Sequence, residues 1–225
     1  MASEPTSTPI EPTTLTPLPP PILLTPRLHL RPMIPDDAPL MALHASPASI
    51  TAYMSLAFSY PYTLQHASEW IALNLHNNLS NYVIAERSSP DKFIGAIGLK
   101  QGSDVETGTA EVGYWIGDEF KGRGYVSEAL RGIRDWAFGL PGANSDSTST
   151  SEGGGEFKYR RLHAGVFSEN LASMRILEKC GFEKEGVLKE HVRTRYGVVM
   201  DLHVFGMTRG RWEEVKRREE GARTV

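Results

Sequence analysis

Ala110-Glu111-Val112-Gly113-Tyr114-Trp115-Ile116, followed after residues 117–120 by Lys121-Gly122-Arg123-Gly124-Tyr125-Val126, is the stretch on which the fold turns. The first run has the β-branched and aromatic content of a strand. The second breaks it with two glycines, and Val126, Ala129, Leu130, Ile133, Trp136 and Ala137 then recur at helical spacing. The order is strand, glycine loop, helix. A helix start offers free backbone N–H groups and the positive end of the helix dipole, so this loop is suited to an anion such as a pyrophosphate. Glycine lets the backbone approach closely, while Lys121 and Arg123 add local positive charge. Two other phosphate loops fit poorly. A dinucleotide fingerprint needs a third glycine where Ser127 stands, and a Walker loop needs Gly-Lys-Ser/Thr.

Upstream, Arg27-Leu28-His29-Leu30-Arg31 alternates as a strand, and Asp36 or Asp37 can cap a helix reaching about Ala45. Gln65–Leu75 has helical periodicity; Tyr82–Glu86, Phe93–Leu99 and Ala110–Ile116 form an antiparallel meander. Downstream, Leu162–Phe167 is predicted as a strand, Asn170–Cys180 as a helix closed by Gly181, and Met200–Met207 as a strand. The Pro/Thr-rich residues 1–26 are too poor in buriable surface to order themselves, and the Ser/Thr/Gly-rich residues 139–156 form a flexible insert. The expected organisation is a disordered tail (1–26), one domain (27–208) carrying that insert, and a charged C-terminal segment (209–225) forming a solvated helix.

The 225 residues, 40% hydrophobic and 23% charged, suit a soluble globular protein. A net charge of −3 gives no global attraction to nucleic acid or anionic lipid. No long apolar run or secretory start is present, so no membrane partner is expected. Cys180 is the sole cysteine, which precludes an internal disulfide and fits a reducing compartment, cytoplasmic or also nuclear. It is read as a packed small residue rather than a nucleophile. The seven histidines lack ligand spacing, and no metal is assigned.

With Asn170-Leu171-Ala172-Ser173 and Lys179-Cys180-Gly181-Phe182 added in order, the chain resembles the GNAT acetyltransferases from about Thr25 to Thr208. Its opening, Thr25-Pro26-Arg27-Leu28-His29-Leu30-Arg31-Pro32, is similar to that of the ribosomal-protein N-terminal (RimJ/RimL-like) branch. The resemblance implies an α/β (α+β) fold: a central, twisted, mostly antiparallel mixed sheet with helices on both faces, splayed open to take acetyl-CoA. It implies backbone pairing of the cofactor near Trp115 and Ile116. The pyrophosphate would lie on Lys121, Gly122, Arg123, Gly124, Tyr125, Val126 and Ser127, with Asn170 and Ser173 also bordering the cofactor. Lys121 replaces the family's usual Gln or Arg, and Val126 its usual Gly or Ala.

Acetyl transfer needs a neutral nitrogen, a stabilised oxyanion and a proton for the leaving thiolate. The catalytic candidates are Glu111, at the family's general-base position, Ser173 and Asn170. Glu111 also fits as a solvent-facing strand residue, Asn170 as an N-cap, and Ser173 as a serine bonded to its own turn. Leu177 occupies the position of the family's usual proton-donating tyrosine. Deprotonating an α-amine at pH 7 costs roughly 1 kcal/mol and a lysine roughly 5, so a lightly equipped site leans towards α-amines. The expected acceptor is a peptide N-terminus or a small-molecule amine, near residues 50–62 and 191–201, in a monomer or homodimer. Asp201 either faces that acceptor or makes a local hydrogen bond. The competing reading is a non-catalytic acyl-CoA-binding sensor.

Overall fold

A computed structural model of the chain describes residues 17–139 and 158–222. Residues 1–16 of the expected tail, 140–157 of the insert region and 223–225 lie outside the described residues. The strands are β1 (Leu23–Leu24), β2 (Leu28–Pro32), β3 (Asn81–Glu86), β4 (Gly95–Gln101), β5 (Thr109–Ile116), β6 (Arg161–Phe167), β7 (Glu183–Arg193) and β8 (Val199–Thr208). They form one open sheet in the order β1-β2-β3-β4-β5-β6-β8-β7. Among the described strands only β5 and β6 run parallel; the other neighbours are antiparallel.

The pleat sends alternate residues to two separate cores. On one face Leu28, Leu30, Ile84, Ile97, Val112, Leu162 and Phe205 pack with α4 (Tyr125–Gly139), α5 (Leu171–Lys179) and α6 (Arg209–Gly221). The helix α4 supplies Ala129, Leu130, Ile133 and Ala137, all fully buried, from the stripe visible in its sequence. On the other face Val83, Ala85, Phe93 and Ala96 pack with α1 (Ala38–Ala45) and α3 (Leu64–Asn77), beside a short α2 (Ala48–Thr51). Helices therefore cover both faces, as the resemblance implies. The start of α3 is fixed by Thr63, whose hydroxyl accepts from the His66 amide, and its end by Asn78 in the left-handed region at φ 48°.

Three features differ from expectation. Residues 23–26 are ordered rather than part of a loose tail: Leu23 and Leu24 pair with Leu30 and His29, and the Thr25 hydroxyl donates to Glu128. The strand β7 has no counterpart in the sequence pattern. The C-terminal helix is docked, not merely solvated: Trp212 and Val215 join the core, and the Trp212 indole donates to Asp135 at 2.8 Å. Beneath that contact the fully buried Arg134 donates to the Cys180 carbonyl and pairs with Asp135 and Glu219.

The buried pair Arg31–Asp37 fastens the entry to α1 onto β2. Two hydrogen bonds of 2.8 and 2.6 Å join the guanidinium to the carboxylate; the carboxylate also accepts from the Ile34 amide, and the guanidinium also donates to the Pro90 and Pro32 carbonyls. Removing one member strands the other's charge in the interior. Asp37→Ala is expected to cost about 3–5 kcal/mol, read as a lowered midpoint in urea unfolding; a midpoint within experimental error of the wild type would contradict this.

Candidate active site

The strands β5 and β6 lie side by side for three pairs only, Thr109↔Arg161, Ala110↔Leu162 and Glu111↔His163. Beyond these they part: β5 stays with β4 up to Ile116↔Gly95, and β6 with β8 up to Phe167↔Leu202. The inner edges are left without a strand partner and form a V-shaped cleft. Along β5, Val112, Tyr114 and Ile116 face the α4–α5 side, while Glu111, Gly113 and Trp115 face the α1–α3 side. The half-buried Glu111 carboxylate makes no hydrogen bond or ion pair among the described residues. Two residues on, a Cβ at Gly113 would meet nothing within 4 Å, so the floor beside Glu111 is open.

At the top of β5 the chain turns through Gly122 (φ 75°) and Gly124 (φ 78°), conformations that L side chains adopt at a cost of roughly 1–2 kcal/mol. The amides from Gly122 to Ser127 find no acceptor among the described residues, and they open onto the start of α4. The turn is held from behind. Arg27 donates to the Arg123 carbonyl at 3.0 Å, lies 4.8 Å over the Tyr125 ring and pairs with Glu128 at 2.7 Å. Lys121 is tied to Asp118, and this hydrogen bond, with one from Ser49, holds the Asp118 carboxyl below its ordinary range. The Val126 side chain joins the core, so its bulk points away from the amides.

Across the cleft, Asn170 caps α5 by accepting from the Ser173 amide at 3.2 Å. The Ser173 hydroxyl does not bond back into its own turn. It lies 2.8 Å from the phenol of Tyr114, whose ionisation burial opposes. Leu177, one turn on, is fully buried and Cys180 likewise. Burial pushes the Cys180 thiol up to about 11, and the thiol donates to the Ser127 carbonyl, which marks it as packing rather than a nucleophile. Among the expected site residues, Trp115 and Ile116 end β5 and residues 121–127 lead from it into α4, while Asn170 and Ser173 open α5 and Ser173 meets Tyr114. Asp201 makes local bonds: its carboxylate accepts from Lys189 and from the Glu190 amide. No group of three or more His, Cys, Asp or Glu among the described residues is placed to hold a metal.

On the Glu111 face the segments 50–62 and 191–201 meet through a residue that sequence reasoning missed. Arg195, in the β7–β8 turn, donates to the carbonyls of Thr51 (3.1 Å), Ser55 (3.0 Å) and Phe58 (2.7 Å) and lies 5.4 Å from the Tyr60 ring. Tyr196 meets Tyr60 edge-on, and Tyr53 meets Phe167 of β6 in the same way. An aromatic wall therefore stands beside the open end of the cleft.

Residues 27–183 match the family model described as an acetyltransferase (GNAT) domain. The chain is 29% identical over 190 residues to the N-acetyltransferase p20 of Bacillus licheniformis, covering 82% of this chain and 94% of that one. Among solved structures, the microcin C7 self-immunity acetyltransferase MccE, in complex with acetyl-CoA and AMP, superposes with a TM-score of 0.62 at 19% identity, over 82% of this chain and 93% of that one. RimL, a ribosomal L7/L12 α-N-protein acetyltransferase in complex with coenzyme A, gives 0.64 at 17%, over 83% and 97%. These two likenesses support the splayed fold itself.

The Arg195 brace is testable apart from any chemistry. Arg195→Ala removes the one side chain that ties the carbonyls of Thr51, Ser55 and Phe58 together, so amide exchange in residues 51–60 should accelerate at least about tenfold while the β2–β4 strands keep their protection. Uniform exchange across both regions would show that the brace holds nothing.

Proposed function

The chain belongs to the GNAT acetyltransferase family and is an N-acetyltransferase of that family; from this premise we propose that it passes the acetyl group of acetyl-CoA directly onto a primary amine, either a peptide α-amine or that of a small molecule. The observation that carries the proposal is the run of unengaged amides from Gly122 to Ser127 beside parted strands. Such amides, at a helix start, suit a diphosphate. Pantetheine is an extended amide chain, and the inner edge of β5 near Trp115 and Ile116 offers it backbone partners in place of a strand.

Glu111 then serves as the base. It stands on the opposite face of β5 from Tyr114 and Ser173, so the amine and the thiol leave or enter from different sides of the sheet. The nitrogen loses its proton to Glu111 directly or through water, its lone pair forms the new C–N bond, and the C–S bond breaks towards the α5 side. Ser173 donates a hydrogen bond to the sulfur at the start of α5, where the helix dipole also favours negative charge. Asn170 holds that helix start in place. The α-amine preference follows from the small cost of deprotonating it, and RimL, similar in fold, is named for an α-N substrate. A sensor that binds acyl-CoA without turnover is the second reading, favoured by the buried Leu177 where the family usually has a tyrosine.

Calorimetry and an acceptor panel read by mass shift separate the two. Acetyl-CoA should bind the wild-type protein, and Gly124→Val, strained at φ 78°, should weaken binding at least about tenfold. Glu111→Gln should lower kcat by about 100-fold or more with cofactor affinity unchanged. Tight binding with silence across peptides, polyamines and aminoglycosides would establish the sensor instead. Displacement by ATP or NAD but not by coenzyme A would overturn both readings.

A further inference from the structure

We propose that Tyr114 is a positioning residue for acetyl transfer: its phenol donates to the Ser173 hydroxyl, which frees the serine's own hydrogen to point into the cleft at the departing sulfur. This rests on the acetyl-transfer reading above. Three observations carry it. The two oxygens are 2.8 Å apart across the parted strands, so the bond bridges β5 and α5 at the depth where the strands no longer pair. The Ser173 hydroxyl does not donate to the carbonyl one turn back, as Ser68 in α3 does, and Tyr114 is its one side-chain partner among the described residues. Its backbone is fixed independently by the Asn170 cap, so the hydroxyl is the one part of Ser173 whose direction the cap leaves unset.

The direction of the bond follows from the chemistry of the two groups. A phenol is a stronger donor and a weaker acceptor than an aliphatic hydroxyl, and the burial that opposes Tyr114 ionisation keeps its proton on oxygen. The alternative acceptor, the Ser173 carbonyl, is 3.4 Å away and lies within a helix whose carbonyls already serve the next turn. Tyr114 therefore donates and Ser173 accepts, which leaves the serine one O–H to give. In the transfer step the amine nitrogen bonds to the acetyl carbon and the C–S pair goes to sulfur. The nitrogen's proton passes to Glu111 or water; the thiolate takes the Ser173 hydrogen bond and is protonated from solvent after leaving. Tyr114 keeps its proton throughout. The arrangement supplies from β5 the phenol that Leu177 does not supply from α5.

The test is a double-mutant cycle on an acceptor that the wild type turns over. Tyr114→Phe and Ser173→Ala should each lower kcat about tenfold, with KM for acetyl-CoA changed less than about twofold. The double variant should be no slower than Ser173→Ala alone, because Tyr114 acts through the serine. Ser173→Thr, which keeps the hydroxyl, should restore the sensitivity to Tyr114→Phe. Fluorotyrosine at position 114 preserves the shape and strengthens the donor, so it covers the case in which the phenylalanine variant folds poorly. It should change kcat with Ser173 present and not in Ser173→Ala. Losses that multiply in the double variant, or a Tyr114→Phe effect confined to KM, would overturn the proposal and leave acetyl transfer standing. A wild type that binds acetyl-CoA yet acetylates nothing would overturn both.

Discussion

Everything at the site depends on β5 and β6 being joined for three residues and then separated. Each is secured on its far side by seven ladder pairs, β5 to β4 and β6 to β8. The divergence is therefore a property of two rigid half-sheets and not of a frayed strand. Mid-sheet backbone groups left without strand partners must be satisfied by water or by a ligand, so the inner edges of β5 and β6 remain able to pair. Both connections that follow the parted strands lead directly into helices, α4 after β5 and α5 after β6. Two helix starts consequently border the same opening, one with free amides at residues 122–127 and one capped by Asn170.

The period of a strand then divides the labour. Because neighbouring side chains on β5 point to opposite faces, Glu111 and Tyr114 can serve opposite sides of one reaction without competing for space. The carboxylate has no partner among the described residues and looks onto the open floor at Gly113; the phenol is engaged with α5. A proton acceptor left unpartnered is available to an incoming group. A donor already committed to a serine acts by orientation. The aromatic wall held by Arg195 stands on the first side, and the glycine turn leads into α4 on the second.

What the sequence disclosed was local. The glycine turn, the α4 stripe and the meander are specified by residues within one element or two adjacent ones, and they appear where the spacing predicts. Expectation failed where polar composition conceals packing. The strand β7 is mostly exposed and bulged at Lys184/Gly186 and Leu188/Val192, so it never shows a clean alternation. The helix α6 reads as a solvated charge run because much of its attachment is ionic, through Glu219 to Arg134. Arg195 was illegible for a different reason: its partners are backbone carbonyls, which every residue has and no sequence pattern marks. Tyr114 was read only as a strand residue, since its role depends on what α5 brings to within 2.8 Å of it.

The two departures from the family's loop pattern, Lys121 and Val126, are reconciled by the same geometry. Val126 is the first core residue of α4 and turns its bulk inward, while the surface ion pair of Lys121 with Asp118 contributes little free energy, as exposed pairs do. Neither side chain shapes the turn. Its shape comes from two left-handed glycines and from Arg27, which reaches over from the start of β2 to hold the Arg123 carbonyl and the Tyr125 ring. The cradle is thus a backbone object braced by an N-terminal residue. That is why residues 23–27 are ordered despite their proline-rich surroundings: Glu128, in the first turn of α4, binds Thr25 and Arg27 together and ties the opening of the domain to the glycine turn.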